Sequence, residues 1–292
     1  MQILDGISLK SKILTELKNE TLSLQKKHNQ VPGLAVILIG NNPASQAYVG
    51  MKKKACEHIG YQSFEYNYPT TITQNELIKL IKDLNTNPQI HGILLQLPLP
   101  NHLDANKMLE LIAPHKDVDG FHPINIGKLL QGLPCFKSCT PYGVIKLLDH
   151  YDIETQGKHI VILGRSNIVG KPLAAMLMQK SSPGNATVTV CHSQSTNLNK
   201  ITQTADILIA AIGKPQFVTA SMVKKGSIVI DVGINRVTDT TQKKGYKLVG
   251  DVDFDTVAPL TTAITPVPGG IGPLTIAMLM TNTLKSFKNS LN

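Results

Sequence analysis

Between residues 159 and 232 the chain carries four short apolar runs: HIVILG (159–164), TVTVC (187–191), DILIA (206–210) and SIVIDV (227–232). Three of them are nearly continuous in Ile, Val, Leu and Ala. A strand with that pattern must be covered on both faces, which a parallel sheet flanked by helices achieves. Most spacers between the runs suit crossover helices. The second half of the chain is therefore predicted to fold as an α/β, doubly wound parallel sheet. TVTVC alternates Thr with Val, and that half-polar pattern places it nearer a sheet edge.

The first half repeats the alternation less regularly. Ile7, Leu9, Ile13, Leu14, Leu17, Leu22 and Leu24 predict an amphipathic helix. LAVILIG (34–40) predicts a buried strand, Asn42-Pro43 the start of a helix and Gly60 its stop. YQSFEY reads as a strand, 73–86 as a helix, HGILLQL (91–97) as a strand stopped by Pro98 and Pro100, and 104–112 as a helix. Later, PVPGGIGP (266–273) interrupts the alternation, and LTIAMLMTNTL, apolar nearly all round, predicts a buried helix.

Charge and composition narrow the functional classes. No apolar run reaches the roughly 18 residues that span a bilayer, and the first residues do not read as a secretory leader. The net charge is +9, yet Arg165 and Arg236 are the only arginines, aromatics make up 4% and there is no Trp. Nucleic-acid surfaces rely on Arg and on aromatic stacking, so that class is disfavoured and a small anionic ligand suits the charge better. Cys56, Cys135, Cys139 and Cys191 lack zinc-type spacing, so no metal site is expected; they suit reduced thiols in a cytoplasmic protein.

HIVILGRSNIVGKPLAAMLM is a strand, a glycine turn and a helix in that order. Gly164 allows a tight turn, Gly170 a close approach of helix to sheet, and the helix start offers N–H groups to a phosphate. This is dinucleotide-binding logic, with Ser166 where GxGxxG has its second glycine. It is not a P-loop: five residues separate the glycines, and Pro172 stands where a magnesium-holding Ser or Thr belongs. No Asp or Glu occurs from Thr155 to Ala205, the stretch in which an NAD site places its ribose-binding acid. Arg165 and Ser193 can instead grip a 2′-phosphate, so NADP is the expected cofactor.

Tyr48 and Lys52 are four residues apart and share one face of the helix after LAVILIG. A tyrosine ring can stack on a flat heterocycle, and a lysine in an apolar site can exchange protons near neutrality. Gln96 interrupts an apolar run and needs a partner, either backbone or ligand. KDVDGFHP supplies Asp117 and Asp119, as turn residues or as a carboxylate at a pocket rim.

NPASQAYVGMKKKACEHIG, GILLQLPLP, KDVDGF, CTPYGV, GRSNIVGKP and ITPVPGGIGPLT, in that order, resemble the bifunctional methylenetetrahydrofolate dehydrogenase/cyclohydrolase family. The resemblance covers nearly the whole chain. It implies two α/β domains with a cleft between them, a catalytic one of 1–140 with 270–292 and an NADP-binding one of 141–269. It implies oxidation of 5,10-methylenetetrahydrofolate with NADP and hydrolysis of the methenyl product to 10-formyltetrahydrofolate. By resemblance Tyr48 stacks on the pterin, Lys52 is the catalytic lysine, Gln96 tunes it and Asp119 holds the pterin ring. Gly164, Arg165, Ser166 and Ser193 match cofactor positions, and Ile234 a position beside the nicotinamide. The loop containing Pro266, Gly269, Gly270 and Gly272 resembles the one that closes over folate. HSQST departs from the family, with Ser195 and Thr196 where Thr and Lys are often found. The family also implies a homodimer.

Overall fold

The computed structural model describes residues 1–242 and 245–291. The chain divides into two compact units: Met1–Lys10 with Thr140–Thr275, and Ser11–Cys139 with Ile276–Asn292. We call these the first and second units.

The chain opens with β1 (Gln2–Ile3) and α1 (Gly6–His28). The second unit then alternates β2 (Gly33–Ile39), α2 (Pro43–Ile59), β3 (Gln62–Tyr68), α3 (Gln74–Thr86) and β4 (Gly92–Leu95). Helices α4 (Ala105–Leu111) and α5 (Pro123–Leu130) follow. The three strands are parallel, in the order β3-β2-β4. β2 is central and buried at every residue, as its unbroken apolar sequence requires.

Local chemistry fixes the helix ends. The Asn42 side chain accepts from the Ala44 and Ser45 N–H groups at the start of α2, and Gly60 closes that helix at φ 82°. Thr73 and Glu76 form a reciprocal capping box on α3. In α1 the buried stripe is Leu9, Leu14, Leu17 and Thr21, whereas Ile7 and Leu22 are exposed. Those two were expected on the apolar face and lie outside it.

The first unit comprises α6 (Cys139–His150), β5 (His159–Leu163), α7 (Gly170–Leu177), β6 (Thr187–Cys191), α8 (Leu198–Thr202), β7 (Ile207–Ala210) and β8 (Ile228–Asp231). A hairpin of β9 (Asn235–Thr238) and β10 (Tyr246–Val249) follows, then α9 (Phe254–Val257) and β11 (Ala263–Ile264). The last helix is α10 (Ile271–Ser290). The main sheet has six parallel strands in the order β1-β11-β8-β7-β5-β6. TVTVC is thus an edge strand, in keeping with its half-polar pattern.

Two features differ from the sequence reading. Residues 1–10 belong with the six-stranded sheet rather than with the second unit, because Gln2 pairs with Ala263 and Ile3 with Ile264. A two-residue strand has no periodicity to read. α10 begins at Ile271, inside PVPGGIGP, and the division between units falls within it, after Thr275. Pro273 is tolerated there because its missing N–H would have no partner in a first turn. Among the described residues no helix is long and apolar enough to cross a membrane.

Candidate active site

Helix α2 buries Ser45, Val49, Lys52, Cys56 and Ile59, a spacing of four and three that makes one continuous stripe. Lys52 therefore sits in the apolar seam, at 9% exposure. Its neighbours turn away. Lys53 pairs with Glu65 at 2.7 Å near the surface, and Lys54 is exposed. Tyr48, one turn before Lys52, is half-buried.

Gln96 lies just past the end of β4, which is shorter than the predicted strand; its N–H still donates to the Ile37 carbonyl at 2.9 Å. Its Nε2 donates to the Leu97 carbonyl at 2.7 Å, which leaves Oε1 to accept from Lys52 Nζ at 2.8 Å. Only this amide orientation satisfies both partners, so the glutamine holds the lysine in one place. α2 follows β2 and Gln96 follows β4, with β3 on the other side of β2. The pair therefore marks the point where the chain changes direction across the sheet, where α/β proteins place ligands.

The two aspartates of KDVDGF do different work. Asp117 accepts from the N–H groups of Phe121 and His122 and from Asn125 Nδ2, so it is the turn residue. Asp119 instead interacts with Lys52 and with the Cys139 thiol. Gly120, at φ 75°, lies so close to Lys137 and Ser138 that a Cβ would fall 2.6 Å from their backbone. Asn282 of α10 clamps the same contact, donating to the Val118 carbonyl at 2.8 Å and the Lys137 carbonyl at 2.9 Å. Sequence reasoning gave Cys139 no site role, although it opens the CTPYGV block, and missed Asn282, which stands in no local pattern that marks it.

Electrostatics set this cluster apart. Burial lowers the Lys52 pKa, against the attraction of Asp119 and Cys139. Burial raises the Asp119 carboxyl to about 6, against the attraction of Lys52. An acid and a base that feel each other's charge and are pushed towards neutrality can exchange protons with a substrate.

In the first unit Gly164, Arg165, Ser166 and Ser193 line one cavity of about 300 Å³, together with Lys214 and Phe217. The cavity lies at the carboxyl ends of β5, β6 and β7, where the order reverses from β5–β6 to β5–β7. Gly164 has φ 120° and packs against the Ala211 carbonyl too closely for any Cβ, and Gly170 packs likewise on the Gly164 carbonyl. Ser166 Oγ accepts from the N–H groups of Val169 at 3.1 Å and Gly170 at 3.4 Å, and its carbonyl accepts from Lys171. The start of α7 is thus largely satisfied from within, which leaves fewer N–H groups for a phosphate than the sequence suggests. Arg165, Ser166 and Ser193 are exposed, and no acidic side chain lines the cavity. These residues fit an anionic dinucleotide. Lys214 and Phe217, 5.5 Å apart from ammonium to ring centre, were not foreseen.

Ile234 is 38% exposed and rests on Gly272, where a Cβ would lie 2.6 Å from its Cδ1. The Pro266 carbonyl accepts from the Gly270 N–H at 2.8 Å, and the Gly269 carbonyl from the Gly6 N–H at 2.9 Å. Pro266, Gly269, Gly270, Gly272 and Ile234 thus gather in the first unit, while Tyr48, Lys52, Gln96 and Asp119 stand in the second.

Comparison with known proteins adds an independent line. Residues 4–119 match the tetrahydrofolate dehydrogenase/cyclohydrolase catalytic domain, and residues 138–291 the NAD(P)-binding domain of the same family. The bifunctional protein FolD of Chloroherpeton thalassium is 54% identical over 293 residues, covering 100% of both chains. The crystal structure of the FolD methylenetetrahydrofolate dehydrogenase/cyclohydrolase from Campylobacter jejuni matches with a TM-score of 0.93 at 52% identity, covering 99% of each chain. The Trypanosoma brucei FolD, solved with NADP cofactor and an inhibitor, matches with a TM-score of 0.94 at 38% identity, covering 99% of this chain and 98% of that one.

Proposed function

The chain belongs to the tetrahydrofolate dehydrogenase/cyclohydrolase family, and from that premise we propose how its residues divide the work. It is a bifunctional enzyme that oxidises 5,10-methylenetetrahydrofolate to the 5,10-methenyl form with NADP, then hydrolyses that product to 10-formyltetrahydrofolate. NADP, when bound, supplies the hydride acceptor.

On the folate side Tyr48 stacks against the pterin and the Asp119 carboxylate accepts from its adjacent N–H and amino donors. Loss of hydride leaves a cation that the neighbouring folate nitrogens stabilise, so this step asks the protein for orientation. Hydrolysis asks for protons. Lys52 Nζ passes a proton between water and the ring nitrogen, and Gln96 Oε1 keeps Nζ in line. The observation that carries this reading is the 2.8 Å Lys52–Gln96 bond inside a buried stripe. Pro266, Gly269, Gly270 and Gly272 are proposed as further folate-binding positions.

On the cofactor side Arg165 and Ser193 would hold the 2′-phosphate, Gly164 and Ser166 would shape the turn that takes the pyrophosphate, and Ile234 would border the nicotinamide. We further propose a homodimer in the cytoplasm. β3 is an edge strand with an open side for pairing, and all four cysteines are free thiols, which suits a reducing compartment.

One assay tests the reading: methylenetetrahydrofolate with NADP or NAD, following reduced cofactor and methenyl absorbance together. NADP reduction with methenyl absorbance that rises and then decays is the expected result. A methenyl signal that persists would remove the cyclohydrolase, and faster reduction of NAD would remove the NADP preference.

A further inference from the structure

Two carboxylates are buried near the cofactor cavity, Asp231 at 3% and Asp251 at 0% exposure. Asp251 Oδ2 accepts from the N–H groups of Ile212 at 2.7 Å and Gly213 at 2.9 Å. Its Oδ1 accepts from Asn235 Nδ2 at 2.9 Å. Ile212 lines the cavity together with Ala211 and Lys214, and Asn235 directly follows Ile234. A single side chain thus ties the wall of the dinucleotide cavity to the turn that presents Ile234.

The brace is itself held. Asp231 Oδ1 accepts from the Gly233 and Asp251 N–H groups at 2.9 and 3.0 Å, and its Oδ2 from the Val252 N–H at 2.9 Å. The Gln216 N–H donates to the Gly250 carbonyl at 3.0 Å and the Val218 N–H to the Asp251 carbonyl at 2.9 Å, so segment 250–251 runs along the loop after β7. Gly233 abuts the Asp251 carboxylate and Gly250 the Asp231 carboxylate, with no room for a Cβ at either. No long helix follows β7 to absorb its trailing amides; only a single 3₁₀ turn, Ala220–Met222, precedes β8. The Asp251 carboxylate takes them instead.

We infer that Asp251 is a positioning residue for the dehydrogenase step, coupling the Ala211–Lys214 wall to Ile234 so that the dinucleotide meets a preformed pocket. The inference rests on the cofactor reading above. It concerns shape rather than charge, and the two have opposite signs. Removing a negative charge near a phosphate pocket tightens an anionic ligand, and NADP more than NAD. Loosening the wall weakens both dinucleotides equally.

Calorimetric titration of wild type, Asp251→Asn and Asn235→Ala with NADP and with NAD separates these outcomes. Asp251→Asn keeps the side-chain volume and one acceptor oxygen, and is expected to weaken both ligands by about tenfold with their ratio unchanged. Asn235→Ala is expected to weaken both less. The double variant should fall short of the product of the two effects, since both break one brace. Tighter NADP binding in Asp251→Asn would overturn the inference, as would unchanged affinities. A folate-analogue titration on the same samples checks folding, and a parallel loss there would also overturn it. Wild-type protein that binds neither dinucleotide would instead sink the cofactor reading itself.

Discussion

Lys52 in the second unit and Arg165 in the first are both cations, and the fold treats them in opposite ways. Lys52 is buried in an apolar stripe, held by Gln96 and set beside Asp119, and its pKa is lowered by that burial. Arg165 is exposed at the mouth of an open cavity. The contrast suits the roles proposed for the two residues. A group that hands protons on near neutrality must have its charged form penalised, and desolvation does that. A group that grips a phosphate must stay charged and reach outward, and solvent keeps it so. The second unit holds a preassembled cluster; the first offers a rim of exposed donors over a braced floor.

The largest expected effect breaks the buried side of this comparison. Lys52→Met keeps most of the length and loses the ammonium. Cyclohydrolase activity should fall by about 10²–10⁴-fold, the usual worth of a positioned acid–base group. Dehydrogenase activity should fall less, so that methenyltetrahydrofolate accumulates. Lys53→Met and Lys54→Met should change little, since both face solvent. Stopped assays of the two half-reactions decide it; hydrolysis at the wild-type rate in Lys52→Met would return Lys52 to a packing role.

Asp119 gives the next effect, and it carries a pH signature. With the free carboxyl at about 6, the protein binds a proton there below that pH, and in the proposed pterin-binding role Asp119 must lose it to accept. Affinity for a folate analogue should therefore fall as pH drops through about 6, approaching tenfold per pH unit. Asp119→Asn should bind roughly ten- to a hundredfold more weakly at pH 7.5 and lose the dependence, with NADP binding unaltered. A wild-type profile that is flat from pH 7.5 to 5 would place the carboxylate away from the ligand.

The exposed side should yield the smallest change. Arg165→Ala removes one charge-assisted contact, worth roughly 1.5–3 kcal/mol, and should narrow the preference for NADP over NAD by about ten- to a hundredfold at low salt. Added salt should shrink that difference, since solvent-exposed charges are screened. An unchanged ratio of the two affinities would move the 2′-phosphate to another donor, with Lys214 the first to examine.

Much of this was legible in the residue order, because the signals are local. Asn42-Pro43 and Gly60 bound α2 through side-chain caps and backbone conformation, which act within a few residues. The unbroken apolar runs of β2, β5, β7 and β8 name themselves as strands covered on both faces. Even the burial of Lys52 was available, since Val49, Cys56 and Ile59 put it in register with the apolar stripe. Other features had no local signal. β1 is a strand only because β11 lies beside it. Asp117 and Asp119 are two residues apart with the same side chain, and only the positions of Asn125, Cys139 and Lys52 made one a turn residue and the other a perturbed acid. Asn282 and Asp251 act across 145 and 39 residues of chain respectively, through hydrogen bonds to backbone groups that no side-chain pattern announces. Periodicity and capping are properties of neighbouring residues, so the sequence determined the elements and their order. Perturbed ionisation and braced loops depend on which distant groups exclude water together, and only the tertiary structure decided those.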